Sequence, residues 1–253
     1  KRGWGDRVAL IDDRGPYSYR GLSQRVNRCG NVLRDIGLGV GDRILICLPD
    51  GIEFVTVFWA AVKIGAVAVP LNTRLTEEDY RALLSDSAAR LVATDTHLAV
   101  PFQRLAKSVS FVCEVIVVDE RSALSTSLSG RMAEASNELT AWPTKPEDIA
   151  FWLYTSGSTG PPKGVMHRHQ ALIHTAVSFG QSVLRVSPED VTFSAAKMHF
   201  AYGLGNAMTF PFYAGATSVV TGHRPTAEHI VACLCEHQPT LFFAVPTLYA
   251  QLL

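Results

Sequence analysis

Apolar positions along the chain alternate between a period near two and a period near 3.6, as expected where strands and helices follow one another. Arg7-Val8-Ala9-Leu10-Ile11 and Tyr17-Ser18-Tyr19 flank Asp12-Asp13-Arg14-Gly15-Pro16, which predicts a hairpin. Leu22, Val26, Cys29, Leu33 and Ile36 then share one helical face, and Gly37 follows as a stop. Short apolar runs predict buried strands at Ile44 to Leu48 and Ala66 to Val69, on either side of a mostly buried helix from Phe54 to Val62. A further helix is expected from Thr76, where Thr76-x-x-Asp79 resembles a capping box with Asp in place of Glu. Strands are expected at Leu91 to Ala93 and Val115 to Val118.

Between Arg121 and Pro146 the sequence turns rich in Ser, Ala, Thr and Glu and closes on Trp142-Pro143-Thr144-Lys145-Pro146. A boundary is expected there, giving one α/β subdomain over residues 1–145 and a second over 146–253. The second series opens with a strand from Ile149 to Tyr154, a glycine-rich loop and a short strand from Gly164 to His167, then a helix from Gln170 to Leu184. Strands at Val191 to Ser194, Thr217 to Val220 and Thr240 to Ala244 alternate with helical stretches at Gly205 to Tyr213 and Ala227 to Glu236. Such alternation predicts an α/β fold of mainly parallel sheets with helices on both faces. The sequence stops at Gln251-Leu252-Leu253, inside a helix begun after Pro246 and without a C-cap, so a piece of a longer protein is expected.

The 253 residues are 47% hydrophobic and 18% charged, an ordinary globular composition. Lys plus Arg total 23 and Asp plus Glu total 23, so no summed field favours nucleic acid or an anionic membrane. A small-molecule partner is the better expectation. Cys29, Cys47, Cys113, Cys233 and Cys235 show no C-x-x-C pair and no spacing of a disulfide framework, and read as reduced thiols in a cytoplasm. The start of the chain lacks the apolar core of a signal peptide. The longest apolar stretch, Ile52 to Leu71, is interrupted by Glu53, Lys63, Gly65 and Pro70, so no membrane span is expected.

The chemistry concentrates in Tyr154-Thr155-Ser156-Gly157-Ser158-Thr159-Gly160-Pro161-Pro162-Lys163-Gly164. Glycines let a backbone approach an anion closely, hydroxyls and N–H groups donate to phosphate oxygens, and Lys163 adds a mobile positive charge. Pro161-Pro162 between Gly160 and Lys163, and Gly164 in the Ser/Thr position, rule out a Walker A loop. A Ser/Gly/Pro connector would have the same composition. The position speaks for a ligand loop, because it follows the apolar strand Phe151-Trp152-Leu153-Tyr154, where α/β sheets bind their ligands.

This segment, extended to Val165, resembles the signature loop of the adenylate-forming (AMP-binding) superfamily, which includes acyl- and aryl-CoA ligases, luciferases and peptide-synthetase adenylation domains. Gly41-Asp42-Arg43-Ile44 and Leu71-Asn72-Thr73-Arg74-Leu75 also resemble that superfamily's amino-terminal region. Lys197-Met198-His199-Phe200-Ala201-Tyr202-Gly203-Leu204-Gly205-Asn206, Thr209-Phe210-Pro211-Phe212, Gly215-Ala216-Thr217 and Val245-Pro246-Thr247-Leu248-Tyr249 are similar to the benzoate-CoA ligase branch. The resemblance implies stacked αβαβα subdomains and a ligase that adenylates an aromatic carboxylate with ATP and Mg²⁺, then passes the acyl group to coenzyme A. It also implies that Thr155, Ser156, Gly157, Ser158, Thr159, Gly160 and Lys163 hold the β- and γ-phosphates. The family's catalytic lysine, its adenine and ribose motifs and its small carboxy-terminal domain would lie beyond residue 253, so these residues alone should not complete the reaction.

By the same resemblance the acid pocket has a wall at Phe200, Ala201, Tyr202 and Gly203, with small Ala201 leaving a flat slot between two rings. Without the resemblance, Phe200 and Tyr202 would read as core aromatics at a turn. Gly203 and Gly205 fit either a close backbone approach or a plain loop. His199 could titrate or gate the pocket, or serve the structure. His167, His169, His174, Cys233 and Cys235 match no closed zinc site, and no metal ligand is assigned. Rival readings remain a fatty or heteroaryl acyl-CoA ligase, an adenylation enzyme that loads a carrier protein, and a non-catalytic nucleotide- or acid-binding module. Oligomeric state stays open, a homodimer included.

Overall fold

A computed structural model describes residues 3–112, 114–118, 127–155 and 162–253. Its first hairpin joins β1 (Val8–Asp12) to β2 (Gly15–Ser18), and α1 (Tyr19–Asp35) follows, burying Leu22, Val26, Cys29 and Leu33 as their spacing predicts. Strands β3 (Arg43–Cys47) and β4 (Val67–Pro70) pair in parallel with Ile44 opposite Ala68, joined through α2 (Ile52–Lys63). The next helix, α3 (Glu77–Ser87), begins with a complete capping box. The Thr76 hydroxyl accepts from the Asp79 N–H at 3.2 Å, and Asp79 Oδ2 accepts from the Thr76 N–H at 3.0 Å. Thr76→Ala is expected to lower stability by about 1 kcal/mol, read as an earlier urea midpoint at unchanged slope.

Beyond β5 (Leu91–Thr94) the chain forms α4 (Thr96–Lys107), β6 (Glu114–Val117) and α5 (Leu128–Glu134). Strands β7 (Ile149–Thr155) and β8 (Lys163–Arg168) follow, then α6 (His169–Thr175), which runs on into a π-helical turn over Ala176–Gln181. After β9 (Val191–Ser194) comes α7 (Ala201–Leu204), a second π-helical turn over Gly205–Thr209, and α8 (Phe210–Ala214). The described chain ends with β10 (Thr217–Val219), α9 (Ala227–His237), β11 (Leu241–Phe243) and α10 (Pro246–Leu252).

These elements form two compact units. One comprises residues 1–22, 49–52 and 170–253, around a sheet of order β11-β9-β10-β1-β2. The other comprises residues 23–48 and 53–169, around a sheet of order β6-β5-β3-β4-β7-β8. Each sheet is parallel apart from one antiparallel edge strand, β2 or β8, in agreement with the expected α/β class. The boundary expected between residues 145 and 146 needs correction. β7 pairs with β4, Phe151 opposite Ala68, so the strand before the glycine-rich loop extends a sheet begun at Arg43. The amino-terminal hairpin instead completes the other sheet, with Leu10 opposite Ser218. Long-range strand pairing fixes the division, and local composition carries no record of that pairing.

In the 23–169 unit the core gathers Leu45, Val67, Val69, Leu84, Val92 and Phe102, with the Tyr80 and Phe102 rings 4.8 Å apart. In the other unit Phe193, Val219, Ile230, Ala244 and Leu248 pack together. Cys29, Cys47 and Cys233 are buried free thiols and Cys235 is exposed, while Cys113 lies outside the described residues. Burial pushes the Cys29 and Cys47 thiols up to about 12, which leaves them protonated and unreactive at neutral pH. Among the described residues no helix is long and apolar enough to cross a membrane.

Candidate functional site

Each unit carries one set of the candidate residues. In the 23–169 unit the loop singled out above springs from the end of β7 and returns as β8, so it closes an antiparallel pair at the edge of the sheet. Thr155 and Lys163 form the last rung of that ladder and both are exposed. Residues directly opposite each other in an antiparallel pair project to the same face, so the hydroxyl and the ammonium leave the sheet side by side. Ser156, Gly157, Ser158, Thr159 and Gly160 lie outside the described residues.

The base of the ladder is held by aromatic groups. Phe151 and His167 sit opposite each other and stack with centroids 4.6 Å apart and planes 5° from parallel. On the other face Trp152 and Tyr154 lie against Gly164, where a Cβ would meet Trp152 Cε3 and Tyr154 Cε1, each at 3.2 Å. Gly164 thus lets two rings close over the strand. Tyr154 Oη donates to Asp86 Oδ2 at 2.6 Å, tying the ring to the end of α3. Burial holds the His167 and His169 imidazoles below the ordinary range, with Asp148 opposing the shift at His169. Both are therefore neutral at pH 7, which removes them as phosphate-binding cations.

In the other unit Phe200 caps α7 and is 47% exposed, Ala201 is exposed, and Tyr202 is 46% exposed. Two large exposed rings at the positions flanking Ala201 in sequence are the opposite of the core placement that composition alone favoured. Tyr202 is held edge-on to Phe243 at 6.4 Å, and Phe200 lies 4.1 Å from the His199 ring. Gly203 is buried behind them. A Cβ there would fall 2.2 Å from the Lys197 carbonyl oxygen and 2.5 Å from that of Ala196. Gly203 and Gly205 belong to helical turns, and Gly205 leaves room for the Phe210 ring, 2.7 Å from where its Cβ would be. Gly203 meets a close backbone approach and Gly205 a side-chain ring, and both lie in helical turns and not in the turn or plain loop expected for them.

Sequence reasoning overlooked what holds the 196–199 turn. Asp50, in the short segment after β3, directs its carboxylate at the Met198 N–H, which donates to Oδ1 at 3.1 Å and Oδ2 at 3.3 Å. Lys197 Nζ donates to the carbonyls of Thr221 at 2.6 Å and His223 at 2.8 Å and lies 3.9 Å from Asp50 Oδ2. Burial pushes the Asp50 carboxyl up to about 6, against the pull of Lys197 and the Met198 N–H. Lys197 opens the Lys197–Asn206 stretch that is similar to the benzoate-CoA ligase branch, but nothing local marks Asp50, whose partners lie about 150 residues away.

Mg²⁺ takes hard oxygen ligands and keeps several waters. Among the described residues no group of three or more His, Cys, Asp or Glu could hold a metal ion.

Comparison with known families matches residues 1–253 to the one described as AMP-binding enzyme. A benzoate–CoA ligase of Thauera aromatica is 46% identical over 252 residues, covering 99% of this chain and 47% of that protein. Among solved structures, a benzoate CoA ligase from Burkholderia xenovorans LB400 superposes with a TM-score of 0.91 at 37% identity, over 99% of this chain and 49% of that one. The anthranilate CoA ligase AuaEII, solved in complex with anthranoyl-AMP, gives a TM-score of 0.94 at 30% identity, over 98% and 48% of the two chains. This chain spans about half the length of the curated relatives it matches.

Proposed function

Because this chain belongs to the family of AMP-binding enzymes, we propose that it is the amino-terminal part of a ligase that activates benzoate or a ring-substituted benzoate with ATP and transfers the acyl group to coenzyme A. A carboxylate is a poor electrophile with no acceptable leaving group. Attack of its oxygen on the α-phosphorus of ATP forms an acyl-adenylate and expels pyrophosphate. The CoA thiol, reacting as thiolate, then displaces AMP and leaves the thioester. The first step gathers negative charge on the departing pyrophosphate, and the proposed role of Thr155, Ser156, Gly157, Ser158, Thr159, Gly160 and Lys163 is to hold the β- and γ-phosphates and receive it. Lys163 contributes as a loop charge. ATP and CoA as co-substrates suit a cytoplasmic enzyme.

The observation that carries the choice of acid is the exposed pair Phe200 and Tyr202 astride Ala201. Two exposed rings flanking the small Ala201 in sequence suit a wall that faces a flat aromatic ring, and Gly203 lets the helix back directly onto the turn behind it. Ala201→Leu in the complete ligase is expected to lower kcat/KM for benzoate about 10- to 100-fold and to leave KM for ATP unchanged. Unchanged benzoate kinetics would remove Ala201 from the pocket.

The deciding experiment is acid-dependent exchange of labelled pyrophosphate into ATP by the complete ligase, over benzoates, heteroaryl acids and fatty acids. Exchange with benzoates is the expected result. Exchange with heteroaryl or fatty acids alone would reassign the acid, and no exchange with any acid would favour a binding module. Thioester formation with CoA, compared with a carrier-protein phosphopantetheine, then identifies the acceptor.

A further inference from the structure

The ion pair behind the proposed acid wall calls for a reason to exist. Asp50 is 8% exposed, and burying a carboxylate and an ammonium is a weak way to gain stability, since desolvation offsets most of the attraction. What such groups supply is definition of position. Here they act on one turn from two directions, with the Asp50 carboxylate gripping the Met198 N–H and the Lys197 ammonium gripping the carbonyls of Thr221 and His223.

That turn leads straight into the wall. The Phe200 N–H donates to the Lys197 carbonyl at 3.0 Å, and the Leu204 N–H donates to the Phe200 carbonyl at 2.8 Å. The carbonyls of Ala196 and Lys197 abut Gly203 so closely that no side chain fits between them. A shift of residues 197 and 198 is therefore transmitted at both ends of the Phe200–Gly203 segment, through the hydrogen bond at Phe200 and the contact at Gly203. Asp50 is buried and the Lys197 ammonium is engaged by the carbonyls of Thr221 and His223, so both groups are assigned to the support of the wall.

We propose that Asp50 and Lys197 are positioning residues for the aromatic-acid wall, fixing the 196–199 turn so that Phe200 and Tyr202 keep the heading from which they would face the acid. The proposal rests on the aryl-ligase reading above and assigns the residues that set its selectivity. Asp50→Asn keeps the side-chain shape and one oxygen acceptor for the Met198 N–H, but removes the charge facing Lys197. Lys197→Gln removes the ammonium, and Lys197→Arg restores a cation.

The test is steady-state kinetics of the complete ligase with benzoate and ATP varied in turn, alongside thermal unfolding. Asp50→Asn and Lys197→Gln are each expected to raise KM for benzoate about tenfold, with KM for ATP unchanged and kcat lowered less than threefold. The double variant is expected to be little worse than Lys197→Gln alone, because that substitution already removes the charge pairing that Asp50→Asn removes, together with the bonds to Thr221 and His223. Lys197→Arg is expected to recover most of the benzoate KM. A fall in kcat and melting temperature with both KM values at the parent level would reduce the pair to a structural role and overturn the proposal. If Asp50→Asn does not fold, the contrast between Lys197→Gln and Lys197→Arg decides by the same split. A parent enzyme that exchanges pyrophosphate with no acid overturns the ligase reading first, and this assignment with it. An active parent whose variants keep the benzoate KM overturns this assignment alone.

Discussion

Gly203→Ala is expected to destabilise the unit containing residues 170–253 by about 3 kcal/mol and to abolish benzoate activation in the complete ligase. The added methyl carbon would sit 2.2 Å from the Lys197 carbonyl oxygen and 2.5 Å from that of Ala196, well inside contact distance. Had the obstruction been the tip of a flexible side chain, a rotamer change would relieve it. Here it is backbone, and that backbone is fixed by the Asp50 and Lys197 contacts. Relief requires moving either the turn or α7, and both carry the wall. Urea unfolding followed by circular dichroism reads the first effect, and pyrophosphate exchange with benzoate reads the second. A midpoint within 0.2 M urea of the parent, at about 1–3 kcal/mol per molar, would show that the turn yields freely and is not a rigid support.

Lys163→Ala is expected to behave in the opposite way, losing function without losing the fold. Lys163 is exposed at the last rung of the β7–β8 ladder, so its removal should change stability by no more than about 0.5 kcal/mol. If its ammonium receives the charge of the leaving pyrophosphate, kcat/KM for ATP in the complete ligase should fall about 100-fold. Lys163→Arg should recover part of this, since a planar guanidinium keeps the charge but not the compact shape of the ammonium. Parent-like ATP kinetics in Lys163→Ala would detach the residue from phosphate binding.

Much of the fold could be read from the sequence because its signals are local. The spacing of Leu22, Val26, Cys29 and Leu33 marked α1, the short apolar runs marked β3 and β4, and Thr76-x-x-Asp79 marked the capping box that the structure contains. Other elements left weaker traces. Pro101 inside α4 hid a helix that Asp95 caps by accepting from the His97 and Leu98 N–H groups. The polar stretch taken for a boundary contains α5, a seven-residue helix capped by Ser127, too short to declare a period. The helical stretch expected from Gly205 begins at Ala201, because Gly203 and Gly205 mark close packing inside a helix and not a turn before it. The two-sheet division and Asp50 depend on partners distant in sequence, which no window along the chain can contain.

The helix that carries the proposed acid wall also contains the π-helical turn Gly205–Thr209, between α7 and α8. A π-turn is an α-helix with one residue inserted, and one residue corresponds to about 100° of rotation around the axis. Removing a single residue from 205–209 would restore a regular helix but turn Phe200, Ala201 and Tyr202 away from their present heading while α8 kept its packing. With these residues as the proposed acid wall, a one-residue deletion in 205–209 would redirect the site in a single evolutionary step while every side chain of the wall is kept. Alignments that place a gap in this helix deserve to be read as changes of direction in the site and not as neutral variation in length.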